Sequence, residues 1–240
     1  MSDKNLMKLQ KLIALREKKP VELSIGDTEL CDRYAALYTG AINDVLREFA
    51  LVDQALPHDI IPLDRDMKAC GIAYTIKSSK NPIITGEMNV RARMLDDMPR
   101  DCMVVWETGG DSESAHWGEI MTAASVARGA RGAVIDGGLR DTRQVLAQRF
   151  GVWYKYRTSN GSLGRCKIEA YNVPVLIGKV IVHPGDVIFA DIDGALAVPR
   201  EIAVPVLERA EEIVSNEKGI REWIDRGDKA TDVVGRGGYF

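Results

Sequence analysis

Short apolar segments alternate with helical segments through the middle of this 240-residue chain, and no other feature of the sequence constrains the fold as much. Residues 102–106 (CMVVW), 132–135 (GAVI) and 151–156 (GVWYKY) have the length and apolar content of buried strands. Residues 119–128 and 141–150 lie between them and have helical patterning. Parallel strands need such crossover connections, so this order predicts an α/β domain built in layers.

Helices are predicted on the N-terminal side of this region. Residues 4–18 carry leucines at near-helical spacing and stop before Pro20, as in an amphipathic helix. Thr28 is a candidate N-cap for a helix through residue 37, and Thr39 begins a third helical segment that ends near Phe49. A strand is then predicted over residues 69–76, with the sequence ACGIAYTI.

The C-terminal part is predicted to be rich in strands and then helical. Turn sequences such as PGD and DIDG separate four predicted strands, at residues 173–177, 179–182, 186–190 and 195–198. A helix is predicted over residues 202–214, with Val206, Ala210 and Ile213 on one side, and a charged tail follows over residues 216–240. Because no stretch has the composition of a linker, we expect a single domain over residues 1–240, with its core at about 28–215.

Composition excludes several classes of protein. The net charge of −3 gives no basic excess, so we expect no nucleic-acid partner. No apolar stretch approaches the roughly 18 residues of a membrane span, and the first residues do not resemble a signal peptide, so we expect a cytoplasmic protein with no membrane partner. The four cysteines form no CxxC pair, which favours buried thiols over a thiolate zinc site.

The segment with the strongest chemical signal is residues 116–142, HWGEIMTAASVARGARGAVIDGGLRDT. Gly118 and Glu119 begin a predicted helix, whose first free N–H groups, at about Ile120 and Met121, point to where an anion can bind. Glu119 is also a first-turn acid that complements the helix dipole, and this structural interpretation stays open.

The same segment continues into a predicted strand and a second functional pair. Gly137 and Gly138 favour a tight turn that brings Arg140 and Asp141 to the carboxyl end of that strand, where ligands bind in open α/β sheets. Arg140 and Asp141 are therefore expected to converge with Glu119 on one edge. A surface ion pair with Asp141 as a helix N-cap is the structural alternative.

This combination of side chains suits a metal-bound oxo acid. The guanidinium of Arg140 can bind a carboxylate through two parallel hydrogen bonds, and two carboxylates, Glu119 and Asp141, suit Mg²⁺ or Mn²⁺. Such an ion stabilises the enolate of a 2-oxo acid. Residues 109–142 contain no lysine, which favours a metal over a Schiff base. His116 is either a proton carrier or a histidine packed on Trp117.

Two glycines just before this segment form the remaining candidate motif. Gly109 and Gly110 indicate a mobile loop before the helix, and a phosphate cradle is the alternative.

The segment WGE at residues 117–119, followed after twenty residues by Arg140-Asp141, resembles the 4-hydroxy-4-methyl-2-oxoglutarate/4-carboxy-4-hydroxy-2-oxoadipate aldolases. These class II pyruvate aldolases share a fold with the RraA-like regulators of ribonuclease E. The similarity extends to residues 182–199 (VHPGDVIFADIDGALAVP) and 32–46 (DRYAALYTGAINDVL), and so covers most of residues 28–215.

The resemblance implies a fold and an activity. The fold is an RraA-like, swivelling-domain-like α/β/β sandwich with N-terminal helices and a C-terminal helical tail. The activity is that of a divalent-metal-dependent lyase. It cleaves a 4-hydroxy-2-oxo acid to pyruvate and a second carbonyl compound, or decarboxylates oxaloacetate through the same enolate. A non-catalytic RraA-like regulator that binds ribonuclease E is the competing interpretation.

The resemblance also implies roles for individual residues. Arg140 holds the pyruvyl carboxylate, together with the helix start at Gly118, Ile120 and Met121, while Asp141 and Glu119 hold Mg²⁺, largely through water. Glu119 stands where the aldolases usually have Asp, a difference of about 1 Å in reach that bears on metal contact and substrate choice.

Assembly is implied as well. The aldolases form homotrimers or homohexamers, and an acid from the C-terminal part of a neighbouring subunit contributes to their site. Glu211, Glu212 and Glu217 are the candidates for that acid here.

Overall fold

The computed structural model of the protein describes residues 3–16 and 21–238. The α-helices of the described residues are α1 Asp3–Arg16, α2 Asp27–Ala35, α3 Thr39–Glu48, α4 Glu87–Asp96, α5 Glu119–Arg128, α6 Thr142–Ala147, α7 Ala203–Asp225 and α8 Ala230–Gly235. The strands are β1 Ile61–Pro62, β2 Ala69–Lys80, β3 Cys102–Glu107, β4 Ala115–Trp117, β5 Gly132–Leu139, β6 Gly151–Arg157, β7 Cys166–Tyr171, β8 Val175–Ile177, β9 Val180–Val182, β10 Val187–Asp191 and β11 Gly194–Val198. A short 3₁₀ turn, Arg200–Ile202, leads into α7, and none of these helices has both the length and the apolar character of a membrane span.

Nine of these strands form one mixed sheet. Its main path runs β1-β6-β5-β3-β2-β10-β11, with β4 added beside β5 and β7 beside β2. Strands β3, β5 and β6, which were predicted because they alternate with helical segments, are parallel to one another and to β2. The antiparallel strands are β1, β7, β10 and β11. The remaining two strands, β8 and β9, form a separate hairpin.

The two faces of the sheet are covered differently because neighbouring side chains of a strand point to opposite faces. In β3, Val104 and Trp106 pack with residues of α4, α5 and α6, whereas Met103 and Val105 pack with the β8–β9 hairpin. The order of layers is therefore helices, large sheet and hairpin. This arrangement confirms the expected α/β/β sandwich.

Helices α2, α3 and α7 cover the antiparallel end of the sheet. They share a buried cluster with Phe189 of β10 and Leu196 of β11. The predicted stripe of α7, formed by Val206, Ala210 and Ile213, is buried in this cluster, as expected. The helix runs past the predicted residue 214 to Asp225, so much of the tail continues it.

Several local expectations are wrong. The N-cap of α2 is Gly26, and the Thr28 hydroxyl instead donates a hydrogen bond to Asp101 Oδ2 at 2.6 Å. The spacing of Ala41, Val45, Leu46 and Phe49 predicts one buried stripe on the third helix, and the first three are buried but Phe49 is exposed. The predicted helix over residues 141–150 is only Thr142–Ala147. The expected stop of α1 before Pro20 lies outside the described residues.

Candidate active site

A cavity of about 430 Å³ opens at the start of α5, beside the carboxyl ends of β4 and β5. Its lining residues are Met88, Arg91, Ala115, His116, Trp117, Gly118, Ile120, Met121, Arg140, Asp141, Gly161, Ser162 and Leu163. The cavity thus combines five of the six residues predicted for the site with residues from α4 and from the segment after β6. Glu119 is the exception.

Asp141 approaches the start of α5 so closely that any side chain at position 118 would displace its carboxylate. A Cβ atom on Gly118 would lie 2.6 Å from Asp141 Oδ2 and 3.3 Å from Arg140 Cγ, and the first of these distances is shorter than real Cβ contacts. The same carboxylate oxygen accepts a hydrogen bond from the backbone N–H of Glu119 at 3.3 Å. The carboxylate therefore faces the positive end of the helix dipole.

The backbone of Asp141 has an unusual conformation that aims its side chain. Its φ of 56° and ψ of 35° lie in the left-handed region, which non-glycine residues seldom occupy. Asp141 is the N-cap residue of α6, as the structural alternative predicted, but its carboxylate makes no capping hydrogen bond to that helix. The side chain contacts α5 instead.

Arg140 is held by its backbone and leaves its guanidinium accessible. Its N–H donates to the Trp117 carbonyl at 3.1 Å, which joins the end of β5 to β4. A Cβ atom on Gly161 would lie 2.9 Å from Arg140 Nη1, so this glycine gives the guanidinium room. Among the described residues, the only ionic contact of the guanidinium is Nε to Asp141 Oδ2 at 3.5 Å. Its outer N–H groups are free to bind an anion.

Gly137 and Gly138 do not form the tight turn that the sequence suggested. Both lie inside β5, which continues to Leu139. A Cβ atom on Gly137 would lie 2.7 Å from the Thr108 side chain, and one on Gly138 would lie 2.4 Å from the Ser114 carbonyl. The two glycines therefore allow neighbouring segments to approach the strand closely. The register of β5 against β6 also shifts at this point.

Glu119 is adjacent to the cavity, but its side chain is exposed and does not line it. Its contribution in this conformation is the N–H that contacts Asp141. Ile120 and Met121 line the cavity at the first turn of α5, where backbone N–H groups have no partner within the helix.

A second guanidinium lines the cavity, and sequence reasoning missed it. Arg91 Nη2 donates to Glu87 Oε1 at 3.1 Å and to Ser162 Oγ at 3.2 Å, while its Nε is buried with no hydrogen-bond partner in the described part of the chain. Arg91 Cζ also lies 5.6 Å from the centre of the Trp106 ring. The spacing of Glu87 and Arg91, four residues apart, was the available signal, because such pairs stabilise helices.

His116 makes a buried pair with Asp111. Its Nε2 lies 3.1 Å from Asp111 Oδ2, and its ring packs edge-on to Trp106, not on Trp117 as the sequence suggested. Burial lowers the pKa of His116, although Asp111 opposes that effect. Burial also raises the pKa of Asp111, but hydrogen bonds from His116 and from Ser114 outweigh it and lower the net value. The pair is therefore a neutral imidazole beside a carboxylate near neutral pH.

The prediction of a loop between Gly109 and α5 is wrong for the residues just before the helix. Ala115–Trp117 form the buried strand β4, and the Tyr156 hydroxyl donates to the carbonyls of Asp111 at 3.0 Å and Ser114 at 3.1 Å. The loop is thus fixed against β6.

Comparison with known proteins identifies the family of this chain. A family model described as RraA-like, Aldolase/RraA, matches residues 28–197. The chain belongs to the Aldolase/RraA family. This result confirms the resemblance that the sequence motifs indicated.

Sequence relatives of this Aldolase/RraA protein are distant. An uncharacterised protein of Methanocaldococcus jannaschii is 35% identical over 52% of this chain and 60% of its own length. A protein of Halalkalibacterium halodurans, named "Putative 4-hydroxy-4-methyl-2-oxoglutarate aldolase", is 27% identical over 78% of this chain and 85% of its own. The chain matches only 27% of the length of DlpA from Legionella pneumophila.

Two solved structures share the fold of the whole domain. One is described as "novel cellulases from microbes associated with the gut ecosystem". It is 50% identical, with a TM-score of 0.86, and covers 91% of this chain and 100% of its own. The other is Streptomyces coelicolor RraAS2, described as an unusual member of the RNase ES inhibitor RraA protein family. It is 25% identical, with a TM-score of 0.75, and covers 82% of this chain and 99% of its own.

The donor groups at the cavity of this Aldolase/RraA protein fit a hard cation that keeps most of its water. Of the described residues that line the cavity, only Asp141 has a carboxylate, and the neighbouring Glu119 is exposed to solvent. Mg²⁺ is commonly bound by one or two carboxylates and several waters. In the described residues, the one group of three close ligand types is Asp111, His116 and Cys166, and of these only His116 lines the cavity.

The three acids considered as a neighbour's contribution have partners within their own chain. Glu211 accepts hydrogen bonds from Arg33 at 2.6 and 2.9 Å, and Glu212 accepts one from Arg209 at 2.7 Å. Glu217 accepts one from the Tyr38 hydroxyl. Glu211 and Glu212 form ion pairs. Of these two, Glu212 has the more exposed side chain, at 60% against 37% for Glu211.

Proposed function

We propose that this protein is a divalent-metal-dependent lyase that breaks a carbon–carbon bond next to a small 2-oxo acid and releases pyruvate. Relatives named as 4-hydroxy-4-methyl-2-oxoglutarate aldolases and the shared family support this class of activity. The observation that carries the proposal is that the free guanidinium of Arg140 and the carboxylate of Asp141 line one cavity at the start of α5.

These groups bind opposite features of the substrate. Arg140 binds the carboxylate of the 2-oxo acid, and the first-turn N–H groups of Ile120 and Met121 add donors to the same anion. Asp141, with Glu119 through water, holds Mg²⁺ or Mn²⁺. When bound, the ion supplies Lewis-acid stabilisation of negative charge on the 2-oxo oxygen.

Arg91 favours a substrate with a second carboxylate. Its hydrogen bonds to Glu87 and Ser162 use Nη2, and among the described residues Nη1 makes no hydrogen bond. Arg91 and Arg140 line the same cavity, so a dicarboxylic oxo acid can contact both guanidinium groups. Substrates such as 4-hydroxy-4-methyl-2-oxoglutarate and oxaloacetate have this chemistry.

A pyruvate-coupled assay tests the proposal. Purified protein is given 4-hydroxy-4-methyl-2-oxoglutarate or oxaloacetate with Mg²⁺, with Mn²⁺ or with EDTA, and pyruvate is measured with lactate dehydrogenase. We expect metal-dependent release that falls about 10²-fold in Arg140→Ala, since one charged partner of a bound anion is lost. Arg226→Ala is the matched control, because that side chain is 60% exposed and has one ion-pair contact at 3.9 Å. Full turnover in Arg140→Ala contradicts the proposal.

A non-catalytic regulator of ribonuclease E is the second candidate, and the likeness to RraAS2 favours it. The two functions are separated by adding the protein to a ribonuclease E cleavage assay alongside the pyruvate assay. Inhibition of the ribonuclease without any pyruvate release supports the regulator.

Glycoside hydrolysis fits the cavity poorly. Most glycosidases use a pair of carboxyl groups on either side of the bond that breaks. Among the described lining residues here, one carboxylate stands with two guanidinium groups, which is the charge pattern of an anion site. We therefore expect no release of reducing sugar from carboxymethylcellulose.

A further inference from the structure

The buried pair of Asp111 and His116 is more strongly fixed than a packed histidine requires. Asp111 Oδ2 accepts the backbone N–H of Ser114 at 3.0 Å as well as the contact with His116 Nε2 at 3.1 Å, and Oδ1 accepts the N–H of Glu113 at 3.3 Å. The side chain of Asp111 is 4% exposed and that of His116 is 1% exposed. Every one of these contacts orients the carboxylate toward Nε2.

This arrangement fixes which nitrogen of His116 carries the proton. An ionised carboxylate only accepts hydrogen bonds, so Nε2 must donate to Asp111. In the neutral ring, Nδ1 is then left with its lone pair. Nδ1 is buried and has no hydrogen-bond partner in the part of the chain that the structure describes, although His116 lines the cavity beside Arg140 and Asp141.

We propose that His116 is the general base and acid of the carbon–carbon cleavage and that Asp111 is the residue that positions it. The proposal rests on the lyase function above. Neither residue is among those that the family resemblance implied for the site.

The cleavage removes one proton from the substrate and later adds one to the product, and we assign both transfers to His116. Nδ1 takes the proton of the substrate's 4-hydroxyl group, the C3–C4 bond breaks, and the oxygen on C4 becomes a carbonyl oxygen. The electron pair of the broken bond forms the enolate of pyruvate. The imidazolium then returns the proton to C3, which gives pyruvate and regenerates the neutral ring, so no other reactant is needed.

The charges around His116 suit a base that works near neutral pH. Burial lowers the pKa of the ring, Asp111 and Glu87 oppose that effect, and Arg91 adds to it. The ring therefore stays neutral at pH 7. We expect aldol cleavage to be constant near pH 7–8 and to fall only below the ordinary histidine value of about 6.5.

Cys166 completes a cluster with Asp111 and His116 whose ligand atoms lie within 4.8 Å of one another, so a bound metal is the competing explanation. Burial raises the pKa of the Cys166 thiol to about 11, with Asp111 adding to the effect. A metal bound here would have to displace the thiol proton, so the metal content of the purified protein decides between the two explanations.

Two reactions of the same protein separate a base from a structural histidine. Aldol cleavage must remove a hydroxyl proton, whereas decarboxylation of oxaloacetate has no hydroxyl proton to remove and its enolate can take a proton from water. For His116→Gln we expect a loss in kcat of about 10²- to 10⁴-fold in aldol cleavage and of less than about 10-fold in decarboxylation. Equal losses in the two reactions, or no loss, overturn the proposal. His58→Gln is the matched control, since His58 is exposed and lies outside the cavity.

The role of Asp111 is tested with Asp111→Asn, because an amide that donates to Nε2 reverses the tautomer. We expect kcat for aldol cleavage to fall while KM changes less than threefold. The chain has three histidines, so ¹⁵N NMR at pH 7 resolves the tautomer of His116 directly. A neutral ring protonated at Nε2 supports the proposal, and a proton on Nδ1 overturns it.

Two further outcomes keep the inference separate from the lyase function. If the unmodified protein releases no pyruvate from either substrate with Mg²⁺ or Mn²⁺, both proposals fail. If it releases pyruvate but purifies with one metal ion per chain that is lost in both His116→Gln and Cys166→Ser, the lyase stands. The base proposal alone then fails, because the imidazole is a ligand.

Discussion

The sharpest test of the site geometry is the smallest substitution, Gly118→Ala. The added methyl group would lie 2.6 Å from Asp141 Oδ2, whereas ordinary van der Waals contact begins at 3.4 Å, so the carboxylate must move by about 0.8 Å. The atom that must move, Asp141 Oδ2, is at the end of a side chain, so the backbone can keep its conformation in the variant. A displacement of about 1 Å at a catalytic group costs up to roughly 10²-fold in rate.

We expect kcat for metal-dependent pyruvate release to fall about 10- to 100-fold in Gly118→Ala, equivalent to about 1.4 to 2.7 kcal/mol. The concentration of Mg²⁺ that gives half-maximal activity should rise as well, because Asp141 is the proposed ligand. The free energy of unfolding, measured by urea denaturation, should change by less than about 1 kcal/mol.

Gly219→Ala is the control for the same chemical change. A Cβ atom on Gly219 meets no other atom within 4 Å, and the residue lies within α7, so alanine there should stabilise the protein by about 0.5 to 1 kcal/mol without altering the rate. If Gly118→Ala retains the full rate and the same Mg²⁺ dependence, the position of the Asp141 carboxylate does not matter and the proposed site is wrong.

Three further expectations follow from single contacts. Arg140→Lys should raise KM for the oxo acid about 10-fold in the pyruvate assay, because an ammonium cannot form two parallel hydrogen bonds. Tyr74→Phe should lower the free energy of unfolding by about 1 to 2 kcal/mol in urea, because the buried hydroxyl donates to the Met94 carbonyl at 2.7 Å. Burial opposes ionisation of Asp101, but hydrogen bonds from a hydroxyl and a guanidinium hold its pKa below the ordinary value. This carboxylate therefore stabilises the fold above about pH 3.9, and the contribution is lost as pH falls through the lowered pKa. The stability difference between the parent and Asp101→Asn should shrink from pH 6 to pH 3 in urea titrations.

The parts of the fold that the sequence predicts are those with a strong local pattern. Helix α5 has the predicted bounds because its start follows Gly118 and its end is the left-handed Gly129. Helix α4 was missed because its buried residues are only Glu87 and Met94, which gives no apolar stripe. Strand β4 was missed because it has three residues and its burial depends on packing by distant segments.

The site was predictable where chain topology alone brings residues together. Arg140 and Asp141 follow β5, and the start of α5 follows β4. Because β4 and β5 pair in parallel, both chain segments leave the sheet at the same edge, which brings Arg140 and Asp141 next to the start of α5. Arg91 enters from a helix before β3, and nothing in the local sequence indicates that it lines the cavity. The direction of the Glu119 side chain depends on its rotamer, which sequence spacing does not determine.

The strained backbone at Asp141 explains how two adjacent residues serve one cavity. In an extended strand, consecutive side chains point to opposite faces, so Arg140 and Asp141 would normally diverge. The left-handed conformation, at a cost of about 1 to 2 kcal/mol, turns the chain so that both side chains reach the start of α5. Backbone hydrogen bonds on either side hold it there: Arg140 N–H to Trp117 at 3.1 Å, and Val145 N–H to the Asp141 carbonyl at 3.0 Å. Because relaxing this backbone would remove the carboxylate from Gly118, the strain is retained where the proposed chemistry needs both charges together.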